Sequence, residues 1–147
     1  MKKTFIITIL IVFLLVFISI IFIRVNLNKK EQQSSEIKKY NLEYEQYTNR
    51  QVYGTDIATL IGKAIKQNEK NKVQKDGNGY YIENEEDSIK IDLKMVTINK
   101  TYPMEEIYNN EISEFVKNFN TIRFKCEEIE YHSETGKISK MVFEEQV

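Results

Sequence analysis

An unbroken apolar run from Phe5 to Ile23 constrains this chain more than any other feature. Of its 19 residues, 17 are Ile, Leu, Val or Phe, and no Asp, Glu, Lys or Arg interrupts it. Wound as an α-helix at ~1.5 Å per residue, the run would span roughly 28 Å, close to the ~30 Å hydrocarbon core of a bilayer. At about −0.3 to −0.6 kcal/mol per residue, its insertion would be favourable by on the order of 5–10 kcal/mol. The two exceptions, Thr8 and Ser19, carry hydroxyls that can bond back to a helix carbonyl. The run exceeds the roughly 7–15 residues of a cleaved signal peptide's apolar core, and no small-residue cleavage site follows it. The expectation is a single-pass cell-membrane protein. Residues 1–24 would form a transmembrane signal-anchor that meets membrane lipid through residues 5–23. The N-terminus would be cytoplasmic and the C-terminal part extracytoplasmic.

The remainder is long enough for one modest domain. From Glu36 onward there are 16 Lys and Arg against 21 Asp and Glu, a net charge of −5. Like charges repel, so this part is a poor partner for nucleic-acid phosphates, and no nucleic acid is expected as a partner. Cys126 is the only cysteine, which excludes an intramolecular disulfide and a cysteine-rich zinc site. It stands in an apolar alternation and reads as a small buried hydrophobe.

Periodicity sets the expected elements. The polar stretch Val25–Glu36 leads into Ile37, Tyr40, Tyr44 and Tyr47, spaced three, four and three apart as on one face of a helix. Residues 25–50 thus read as a juxtamembrane stalk helix and 51–147 as an extracytoplasmic α+β domain. Gly54-Thr55-Asp56 offers an N-cap for a helix whose apolar face is Ile57, Leu60, Ile61, Ala64 and Ile65. Gly62, mid-helix, suggests close packing against a neighbour. Lys75–Gly79 is turn chemistry, followed by a short strand at Tyr80–Glu83 and an alternating strand at Ser88–Leu93. Met95, Val96 and Ile98 break phase and suggest a bulge or burial on both faces. Pro103 opens a third helix whose stripe runs Met104, Ile107, Tyr108, Ile112, Phe115, Val116, Phe119. Ile122, Phe124 and Cys126 alternate, the phase slips after Glu128, and Ser133–Gly136 reads as a hairpin loop with Gly136 at positive φ. Ile138–Phe143 is the last strand. Long βαβ crossovers are absent from this order, so the expected fold is α+β: a small antiparallel sheet with packed helices, behind the transmembrane helix and stalk.

No catalytic constellation emerges. His132 is the only histidine, six positions after Cys126; on one strand they would stand about 20 Å apart, too far for a hydrogen bond. Asp76-Gly77-Asn78-Gly79 begins like a calcium loop, but Tyr81 stands where that loop needs glycine. Glu83, Glu85, Glu86 and Asp87 read as solvated turn charges. No catalytic residue, metal ligand or cofactor is expected, and the chain is not expected to be an enzyme. Tyr40, Tyr44 and Tyr47 are the candidate interface, because tyrosine rings pack while their hydroxyls stay hydrated.

The apolar run Phe5–Ile23, the Tyr40/Tyr44/Tyr47 stalk and the small sheet together resemble the layout of type IV pilins and Tad-type pseudopilins. Val52-Tyr53-Gly54-Thr55-Asp56-Ile57, with Phe124-Lys125-Cys126 and Tyr131-His132, is similar to small uncharacterised single-pass membrane proteins of low-GC Gram-positive bacteria, which implies no activity. The pilin resemblance implies a membrane-tethered, non-enzymatic binding or assembly module of the bacterial cell envelope with protein partners there, in its narrowest form a minor pilin-like component. The alternative is an extracytoplasmic sensory or accessory domain that binds a small ligand or peptide.

Overall fold

The computed structural model describes the backbone of residues 2–147 and the side chains of residues 13–147. The chain divides into two units, Met1–Glu36 and Ile37–Val147. Helix α1 (Lys2–Glu45) supplies residues 2–36 of the first unit and residues 37–45 of the second.

The transmembrane anchor expected over Phe5–Ile23 is corrected. Among the described residues no helix is long and apolar enough to cross a membrane. The side chains of residues 5–12, the first part of that run, lie outside the described residues. The described remainder, residues 13–23, would span roughly 16 Å as a helix, about half a hydrocarbon core. The single-pass location and the topology built on the anchor lose their support with it. Ser19 does bond back, its hydroxyl donating to the Leu15 carbonyl at 2.8 Å.

The second unit is α+β, with a five-stranded sheet in the order β1-β4-β5-β2-β3. Its elements are β1 (Val52–Tyr53), α2 (Gly54–Lys70), β2 (Lys90–Met95), β3 (Lys100–Pro103), α3 (Met104–Asn109), α4 (Ile112–Phe119), β4 (Arg123–Tyr131) and β5 (Ile138–Gln146). The sheet is mixed rather than antiparallel. β4 and β5 form the expected hairpin, but β5 lies parallel to β2, with Ile91 opposite Met141 and Leu93 opposite Phe143. The segment α3–α4 is the reason. It carries the chain from edge strand β3 across to β4, and the hairpin return then places β5 in the centre of the sheet. Period-two alternation is the same for parallel and antiparallel neighbours, so the sequence pattern could not separate them.

Alternation does set the faces. Ile91, Leu93, Met95, Met141, Phe143 and Phe124 are buried together with Ile57, Leu60, Ile61 and Ile65 of α2. The opposite face is charged and solvated, crossed by the ion pairs Lys94–Glu144 and Lys140–Glu130. Such exposed pairs are worth about 0–1 kcal/mol each.

Other boundaries differ in instructive ways. Tyr80–Glu83 is no sheet strand; only an isolated bridge joins Lys75 to Tyr81. The phase break after Met95 is a hairpin turn into β3, not a bulge. The expected third helix is two, separated at Asn110–Glu111, where Glu111 adopts φ 61°. Helix α2 begins at Gly54, and Asp56, in its first turn, accepts the Tyr53 amide at 3.0 Å. The phase slip at Glu128 is a bulge, and Gly136 has φ 69°, both as expected.

Candidate functional site

The tyrosines at the start of the second unit face inward. Tyr44 is 1% exposed and Tyr47 8%, both within the core cluster, while Tyr40 is half-buried against it. The Tyr40 and Tyr44 rings meet at 5.1 Å between centroids, tilted by 48°. The Tyr40 hydroxyl donates to the Ile138 carbonyl at 3.3 Å, whereas the buried Tyr44 hydroxyl has no hydrogen-bond partner among the described residues. Burial pushes both phenols well above the ordinary tyrosine range.

Two asparagines clamp helices to strand backbone. Asn68 of α2 is fully buried; its amide donates to the Ile89 carbonyl at 2.8 Å and its oxygen accepts the Ile89 N–H at 2.9 Å. Asn41 of α1 repeats the arrangement on the β4–β5 hairpin, donating to the Gly136 carbonyl at 2.8 Å and accepting the Ile138 N–H at 2.9 Å. Each side chain thus completes backbone pairing that the ladder leaves open. Neither residue stands out in the sequence, because asparagine in a helical pattern reads as surface.

The remaining polar candidates are structurally occupied. His132 is buried, and its Nε2 lies 2.7 Å from the Ser88 carbonyl; a carbonyl only accepts, so Nε2 carries the proton. The Cys126 thiol donates to the Glu128 carbonyl at 3.4 Å, and burial pushes it up to about 11, so thiolate is scarce near neutrality. Asp76 caps its own turn, accepting the amides of Asn78 and Tyr80. Asn84 organises the acidic turn by accepting the amides of Glu86, Asp87 and Ser88. Among the described residues, no group of three or more His, Cys, Asp and Glu side chains could hold a metal ion.

Two open cavities are found among the described residues: a polar one of about 200 Å³ beside His132, Glu83 and Lys140, and an apolar groove of about 170 Å³ between the α3–α4 pair and the β2–β3 hairpin. Leu93, Met95, Tyr102, Ile107, Phe115 and Phe119 give it apolar walls. Phe115 and Phe119 lie one helical turn apart on α4 and stack with centroids 5.0 Å apart. Glu106, Asn110, Glu114 and Asn118 form the polar rim. Lys100 stands at one end, paired with Glu106 at 2.9 Å and 4.0 Å from the centroid of the Tyr102 ring. The interruption at Glu111 separates α3 from α4, and a positive φ in a residue with a Cβ is conformationally costly. The helical stripe Met104–Phe119 marked several of these residues; the groove itself depends on the break and on β3, neither of which the sequence revealed. Against these features, no known family model, characterised protein or solved structure matches the chain.

Proposed function

We propose that the chain is a non-enzymatic binding module whose Ile37–Val147 unit receives a bulky apolar side chain of a polypeptide partner. The groove between α3–α4 and β2–β3 is the observation that carries this reading. Its volume of about 170 Å³ falls below the roughly 300–1,000 Å³ of pockets that enclose cofactors or drug-sized ligands. It suits one side chain, not a whole small molecule. The rim amides of Asn110 and Asn118 suit the backbone of an extended or helical segment. This favours peptide recognition over filament assembly, and the histidine and cysteine held in structural bonds favour binding over catalysis. The acidic balance of the unit keeps nucleic acid out of the proposal.

Selection of random peptides on the full chain tests it. Enriched peptides are expected to share a Phe, Leu or Met anchor, and to lose binding to the groove-blocking variant Asn118→Trp at an unchanged melting temperature. Absence of enrichment, or peptides that bind Asn118→Trp as well as the parent, would overturn it.

A further inference from the structure

Resting on that groove, we propose that its partner is cationic: a segment that flanks the apolar anchor with Lys or Arg. The lining carries two carboxylates, Glu106 and Glu114, and no basic residue. Glu114 forms no ion pair among the described residues, and it stands one helical turn from Asn118 along the same rim. The charge of −5 over the chain from Glu36 onward adds a long-range field of the same sign. Glu114 is exposed and hydrated, so a neutral segment gains nothing from it, a cationic one gains an ion pair, and an anionic one is repelled.

Lys100 gives the arrangement a second feature. Its ammonium is exposed and pairs with Glu106 at one end of the groove, beside the Tyr102 ring. It holds the place that a partner's cation would take, and an exposed pair of this kind exchanges at little cost. Lys100 is therefore a specificity residue, a built-in competitor for the incoming charge. Removing it frees Glu106 and strengthens binding of a cationic segment, the opposite of what loss of an ordinary contact does.

Three acetylated, amidated probes separate the outcomes: Gly-Lys-Gly-Phe-Gly-Lys-Gly, the same peptide with Gln for Lys, and the same with Glu for Lys. Each is titrated into the full chain at low salt and followed by amide chemical shifts. The lysine peptide is expected to bind most tightly and the glutamate peptide least. Glu114→Gln is expected to weaken the lysine peptide by about two- to fivefold, and Lys100→Gln to strengthen it by a similar factor. Both effects should shrink in high salt. Equal binding of all three probes at the groove would overturn the charge inference while leaving the binding reading intact. If no probe shifts the groove residues, both fall. A weaker lysine-peptide complex in Lys100→Gln would remove the competitor role.

Discussion

Gly54 and Gly62 lie on the same helix and make opposite demands. A Cβ on Gly54 would stand 2.1 Å from the carbonyl oxygen of Phe119, so α2 begins where α4 ends, with room only for hydrogen. A Cβ on Gly62 would meet nothing within 4 Å, which corrects the expectation of close packing there. Gly54→Ala is accordingly expected to cost roughly 1–3 kcal/mol through overpacking of backbone. Gly62→Ala should raise stability by about 0.5–1 kcal/mol through helix propensity. Urea unfolding of the two variants reads both signs. Asp92 provides a pH-dependent counterpart. Burial raises its carboxyl above the ordinary value, and Lys140 and Lys90 offset this only in part. A raised folded pKa means the protonated form favours the fold. That contribution is complete below the unfolded value of 3.8 and is lost as pH rises through the folded value. Asp92→Asn is therefore expected to stabilise the protein at neutral pH, with the gain fading as pH falls through the carboxylate range. A gain that persists undiminished at low pH would contradict the assignment.

At the scale of elements, the helices hold the sheet through single side chains as well as through apolar packing. Asn68→Ala strips partners from the buried Ile89 N–H and carbonyl together, and each orphaned group costs about 1–3 kcal/mol. The loss expected in urea unfolding exceeds that of Asn71→Ala, whose side chain makes only half-buried bonds, donating to the Asp87 carbonyl and accepting from the Gln67 amide. The last turns of α1 and the turn that follows it belong to the same fabric. Tyr44, Tyr47 and Asn41 precede the first strand, yet they fill the core and close the β4–β5 hairpin. A fragment of residues 37–147 is expected to unfold cooperatively. One of residues 51–147 should be less stable by about 3 kcal/mol or more, the usual cost of emptying one large aromatic site. Equal urea midpoints for the two fragments would place those turns outside the core.

Across the whole molecule, legibility followed the range of the interaction. Local patterns carried well: the apolar face of α2, the alternation in β2, β4 and β5, the bulge near Glu128 and the left-handed Gly136 are all consequences of neighbours in sequence. Pairing between distant strands did not, because Leu93 opposite Phe143 looks the same to its own strand in either direction. β1 and β3 were missed since two and four residues are too few to show a period. The groove inherits that limit. Its aromatic wall was visible as a helical stripe, whereas its rim needed the Glu111 interruption, and its far side needed a hairpin that reads as noise. The anchor shows the converse: the longest apolar pattern in the sequence supplies no membrane-crossing helix among the described residues.

The proposed binding role depends on where a partner's apolar side chain sits. The direct measurement is the set of intermolecular nuclear Overhauser effects between the full chain and a bound Phe-containing peptide. Contacts from the peptide ring to the methyl groups of Leu93 and Ile107 are the result predicted. Contacts instead to the methyls of Val142, on the sheet's charged outer face, would contradict it.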